Sequence, residues 1–466
     1  MKKHLISFIN LAIFATAAYA QVYLPSVFSD NMVLQQQSDV AIWGWARAAE
    51  KVKIVGSWNS TDTVVVTANN NARWQASLST AEAGGPYTID VIGSSQITLR
   101  NVMLGEVWIC SGQSNMEWSF NHGIKDGEQE AASANYPDIR IFHIPKIGDN
   151  YPQSDCRAGW TGCSPSTVRT TSALAYFFGR ELHKKLDVPV GLIVSAWGGT
   201  PAEVWLRKEL VVNDPELQEA SGKIIEYPWW PDEPGVAYNG MISPVIPFGL
   251  AGAIWYQGES NVTTHGTYYK LFRKLIESWR EDFDRQLPFY YVQIAPFAYG
   301  NPEQKAYLLR EQQVRAMDIP NTGMVVISDL VDDVKNIHPL NKQDVGNRLA
   351  GWAFAEVYGL PVEAYKSPVY ESMKIERNKI RILFHNADNG LYCPDKEITH
   401  FKIAGEDRQF IDAKAKIDGN TIVVYNREVK QPVAVRFAFD NISIPNLFSK
   451  EGLPVSLFRT DNWETE

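Results

Sequence analysis

The stretch that decides the fold is "WICSGQSNMEW", residues 108–118. Trp108, Ile109 and Cys110 form the end of an apolar run that reads as a buried strand, and Gly112 breaks it. Ser114 follows between Gln113 and Asn115, where a turn into a helix would expose its hydroxyl and its own N–H. A serine there can be a helix cap or a nucleophile, and the second reading needs a base and an oxyanion site elsewhere in the chain. The motif is not G-x-S-x-G, because Met116 stands where the second glycine would be, so the strained elbow of the α/β-hydrolases is not matched.

Working outward, further apolar strands end in the same manner. "VPVGLIVSAWGG" and "LAGAIWYQGES" run into Gly198-Gly199 and Gln257-Gly258-Glu259, and "PFYYVQIAPF" and "TGMVVISDL" are two more. Between them "SALAYFFGRELHKKL", "YYKLFRKLIESWREDF" and "NKQDVGNRLAGWAFAEVYG" have helical apolar spacing. Apolar strands alternating with helices predict an α/β fold, a doubly wound parallel sheet. On both sides the pattern becomes all-β. Short runs such as "VAIWGWA" and "DTVVVTA" predict an N-terminal β-sandwich over residues 21–100, with "QITLRNVML" its last strand and "EVWICSG" the first of the next unit. The α/β unit spans 101–360, and runs such as "KIRILFHNA" and "VAVRFAFDN" predict a β-rich region over 361–466.

The opening "MKKHLISFINLAIFATAAYA" has a basic start, an apolar stretch and Ala18-Tyr19-Ala20, the pattern of a secretory signal peptide over residues 1–20. It predicts export to the periplasm or medium without a membrane anchor. Export permits disulfides, and Cys156 and Cys163 are close enough in sequence to form one. The four cysteines have no zinc-site spacing, so neither a metal nor another cofactor is expected. The chain has 466 residues, a net charge of −9 and no basic run, which argues against nucleic acid as a partner. Its 15 tryptophans are core filler first, although Trp118, Trp205, Trp229 and Trp230 could also face a sugar.

Ligands of such sheets bind outside the carboxyl ends of the strands. Four short motifs fall there: "GQSNM", "WGGTPAEVW", "WYQGESN" and "IHPLNK". They pair Ser114 with His338 as nucleophile and general base. The N–H of Ser114, the N–H of Gly199 and the side-chain amide of Gln257 are the candidate oxyanion donors.

These blocks, together with "SDNMVLQQ", "AGGPYTI" and "YNGMISPVIPFGLAGAIWYQGESN", resemble the SGNH hydrolases, and within them the sialate O-acetylesterases. The resemblance covers nearly the whole chain after residue 20. It implies a serine esterase that removes acetyl groups from sugar hydroxyls, 9-O-acetylated sialic acid foremost. Acetylated xylan is an alternative substrate, and a non-catalytic sugar-binding protein on the same scaffold an alternative role. The chain departs from the family at one position: the acid expected three residues before the histidine is Lys335, and Asn336 stands where relatives carry Asp. Glu259 is the first candidate to replace that acid, Asp332 or Asp333 the second, and a Ser-His dyad the third.

Overall fold

One strand organises the molecule. In the computed structural model, which describes residues 21–464, the runs "QITLRNVML" and "EVWICSG", expected to belong to two units, are a single 17-residue strand, Gln96–Gly112. The expected signal peptide lies outside the described residues. The first half of the strand pairs antiparallel with Gly84–Ile92 in the N-terminal β layer. The second half is buried on both sides and pairs parallel with Val190–Ala196 and Gly252–Tyr256. No break falls at residue 100, because the antiparallel and parallel neighbours share this one backbone and its ladder never needs a turn.

Across the α/β sheet the order is Thr322–Val325, Phe289–Val292, Gly252–Tyr256, Gln96–Gly112, Val190–Ala196, Tyr136–His143 and Trp160–Cys163. All neighbours are parallel except the last pair. Tyr136–His143 is missing from the sequence reading because Pro137, Asp138 and Arg140 interrupt its apolar pattern, yet Ile139 to Phe142 are buried.

Alternation along the strand sends side chains to two faces. Trp108 packs edge-on against Phe178 of the helix Ala173–Leu186, which lies beside the helix Lys342–Glu356. Trp255 is in register with Ser111, three residues along from Trp108, and so points the other way, into Phe272 and Trp279 of the helix His265–Asp282. Helices on both faces make the sheet doubly wound, as expected.

The N-terminal β layer shares one hydrophobic core with this unit, whereas the C-terminal strands have their own, built around Ile380, Phe401, Val435 and Phe458. Two four-stranded antiparallel sheets carry that second core. The Arg459–Glu311 ion pair, at 2.6 Å, ties it to the α/β unit. All four cysteines are free, so the link that the spacing of Cys156 and Cys163 permits is not formed; both of these residues are buried in the core instead. Among the described residues no helix is long and apolar enough to cross a membrane.

Candidate active site

The four motifs meet at the carboxyl edge of the sheet, around a cavity of about 650 Å³. The geometry begins at Gly112. Its φ of 139° lies where side chains are disfavoured, and a Cβ there would strike the Tyr256 carbonyl. The strand can therefore swerve beside its neighbour and release the chain into the one-turn helix Ser114–Glu117. Ser114 is the first residue of that helix, so its N–H has no intrahelical acceptor. Neither this N–H nor that of Gly199 has a partner among the described residues.

Ser114 Oγ lies 2.9 Å from His338 Nε2. The imidazole is stacked on Trp118, with ring centroids 4.0 Å apart, and the main-chain N–H of His338 donates to Asn336 Oδ1 at 3.0 Å. Burial, with Lys342 and His122 nearby, holds the His338 pKa down to about 4. The ring is thus neutral and able to accept a proton at ordinary pH.

Gly199, at φ 82°, is the left-handed corner of the turn after Val190–Ala196. Three contacts fix it: Ser260 Oγ donates to its carbonyl at 2.8 Å, Glu117 accepts the N–H of Gly198 at 2.5 Å, and the Trp230 ring covers its Cα.

Gln257 is not where the sequence reading needs it. Its amide donates to Thr200 O at 3.3 Å and Asn261 Oδ1 at 2.7 Å, and Tyr268 donates to its carbonyl oxygen at 3.1 Å. A fully buried amide must find internal partners, and these turn it away from the cavity. The amide that does line the cavity is Gln113, whose Oε1 accepts from the Gly258 N–H at 3.1 Å and whose NH₂ has no acceptor among the described residues. Its position directly before the nucleophile was the available signal.

The carboxylates also differ from expectation. Asp332 and Asp333 are exposed, and Asp333 accepts the N–H of Lys335. Neither bonds to His338. Glu259 borders the cavity but its Oε1 accepts from Asn115 Nδ2 at 2.7 Å, and its Oε2 has no partner. The same Asn115 amide donates to the carbonyl of Ile337 at 3.0 Å, and Lys342 Nζ donates to Asn115 Oδ1 at 2.6 Å. Asn115 therefore joins the serine turn, the histidine loop, Glu259 and a fully buried lysine. Neither Asn115 nor Lys342 carries a signal in the sequence, since an amide and a lysine become informative only when their burial is known. Burial lowers the Lys342 pKa to about 7 and raises that of Glu259, while their mutual attraction opposes both shifts.

Removing Lys342 leaves the buried Asn115 Oδ1 without its donor, at a cost of about 1–3 kcal/mol. Lys342→Met is accordingly expected to lower Tm at pH 6, and kcat/KM about tenfold or more as the Asn115 bridge loosens. Lys342→Met/Glu259→Gln should regain part of the lost stability, because the two buried side chains attract each other. A double variant as unstable as the single one would show that the two side chains are not coupled.

Comparison with known proteins follows the same lines as the geometry. Residues 104–355, more than half of the chain, match the family model described as carbohydrate esterase, sialic acid-specific acetylesterase. The sialate O-acetylesterase of Mus musculus is 29% identical over 411 residues, covering 75% of this chain and 76% of its own. That of Homo sapiens is 29% identical, covering 76% and 74%. The crystal structure of a carbohydrate acetylesterase from Xanthomonas citri superimposes with a TM-score of 0.86 at 34% identity, covering 95% of this chain and all of that one. The protein is a carboxylic ester hydrolase. The chain belongs to the sialic acid-specific acetylesterase family of carbohydrate esterases.

Proposed function

We propose that this protein releases acetate from O-acetylated sugars by a two-step acyl transfer on Ser114. The observation that carries the reading is the 2.9 Å contact between Ser114 Oγ and a neutral His338 Nε2, beside two unpaired main-chain N–H groups. His338 takes the hydroxyl proton as Oγ attacks the acetyl carbonyl. The N–H groups of Ser114 and Gly199, with the Gln113 amide in place of Gln257, stabilise the oxyanion. His338 then protonates the departing sugar oxygen, and water activated by the same ring releases acetate. Glu259 acts one step removed: through Asn115 it steadies the Ile337 carbonyl and hence the histidine loop, while the imidazole itself works in a Ser-His dyad. With the leader of residues 1–20, the reaction belongs outside the cytoplasm.

The test is acetate release from 9-O-acetylated sialic acid and from acetylated xylan, with 4-nitrophenyl acetate reporting on the chemistry alone. Acetate from either sugar supports the reading and ranks the substrates. Turnover of none of the three would leave a sugar-binding protein on an esterase scaffold.

The state of the base sets the pH dependence. Protonated His338 cannot accept a proton, so kcat/KM is lost as pH falls through the imidazole pKa of about 4. The profile should hold its acid side flat down to roughly pH 5. An acid limb centred near pH 6.5, the value of an unperturbed histidine, would contradict the burial argument.

A further inference from the structure

Beside the catalytic pair the cavity wall is aromatic and open. Tyr227, Trp229 and Trp230 lie in the loop between the helix Pro215–Ser221 and the turn Tyr238–Ile242. Their ring centroids are 4.6 Å (Tyr227–Trp230), 6.0 Å (Tyr227–Trp229) and 5.9 Å (Trp229–Trp230) apart. Trp229 is 65% exposed and Tyr227 42% exposed, and Ile225 extends the patch at 47%. Single exposed apolar residues need no explanation, but a contiguous aromatic patch on the rim of a cleft does. This patch is also anchored. Trp197 Nε1 donates to the Trp229 carbonyl at 3.4 Å, and Trp230 sits over Gly199.

Charge narrows the ligand. Lys146 is the only lysine or arginine among the described residues lining the cavity, and its ammonium is 2.6 Å from Glu117. No unpaired arginine or lysine is left there to hold an anionic group. A face of aromatic rings without a free cation suits the C–H face of a pyranose ring.

We propose that Tyr227, Trp229 and Trp230 form a stacking subsite for an uncharged pyranose ring of a glycan chain, the neighbour of the ring that carries the acetyl group. The inference rests on the esterase reading for the position of the acetylated ring, and it extends that reading from single sugars to oligosaccharides. The volume is consistent with this: about 650 Å³ is within the range that holds a drug-sized molecule, far more than an acetyl group needs.

The test is binding without turnover. Ser114→Ala protein is titrated calorimetrically with cellotetraose, xylotetraose, mannotetraose and sialyllactose, and with glucose and xylose. At least one neutral tetrasaccharide should bind better than its monosaccharide, with an affinity insensitive to salt. Adding Trp229→Ala should weaken that binding about tenfold or more, and Trp229→Phe should retain most of it, with Tm measured for each variant to confirm folding. The proposal is overturned if no neutral tetrasaccharide binds up to about 10 mM, if Trp229→Ala leaves the affinity unchanged in a folded protein, or if sialyllactose binds best and loses affinity with salt. Failure of the esterase reading is seen separately, as absence of 4-nitrophenyl acetate hydrolysis by the protein that retains Ser114.

Discussion

Replacing Ser114 by alanine is expected to reduce kcat/KM by about 10,000-fold or more, the scale on which serine hydrolases depend on the nucleophile. Ser260, another serine of the cleft, cannot readily replace it, because its Oγ is engaged with the Gly199 carbonyl at 2.8 Å. Stability should hardly change, because Ser114 is partly exposed and, among the described residues, the Oγ contact to His338 is its only side-chain hydrogen bond. Acetate release and thermal unfolding measured on the same preparation separate the two effects. A folded Ser114→Ala protein that keeps a tenth of the wild-type rate would rule out the acyl-enzyme route.

The second large effect is expected at Gly199. Loss of one oxyanion donor costs about 100- to 1,000-fold in kcat, and Gly199→Ala should approach that range without touching Ser114 or His338. Alanine at a φ of 82° carries about 1–2 kcal/mol of strain, and its Cβ would run into the Trp230 ring. Both push the 197–200 turn out of the position that the proposed oxyanion role of its N–H requires. Adding Trp230→Ala to Gly199→Ala removes the steric part and leaves the backbone strain, so the double variant should recover part of the rate on 4-nitrophenyl acetate. Full activity of Gly199→Ala would mean that this N–H does not face the reacting oxygen.

Five of the six parallel strands were legible because each is apolar on both faces and ends in glycine or a polar motif; their order across the sheet was not. Ser114, Gly199, Glu259 and His338 could be picked out for the same reason, since all four sit at or beyond strand ends. What the sequence concealed depends on tertiary packing. The strand Tyr136–His143 looks polar because Arg140 is buried against main-chain carbonyls, donating to that of Pro137. Gln257 and Gln113 are both amides at a strand end, and only the neighbours Thr200 and Asn261 show which of the two is turned inward. Lys342 reads as an ordinary first-turn helix residue until it is found 1% exposed.

The 17-residue strand Gln96–Gly112 has a consequence for how this chain can be cut and recombined. Its front half belongs to the ladder of the N-terminal layer and its rear half delivers Gly112 to the turn that presents Ser114. The N-terminal layer is thus not cargo that a fusion or truncation could exchange while leaving a free-standing catalytic unit. A boundary drawn at residue 100 would strip a sheet edge bare and loosen one end of the very strand that aims the serine, so the register of the nucleophile is inherited from β structure laid down far upstream of it.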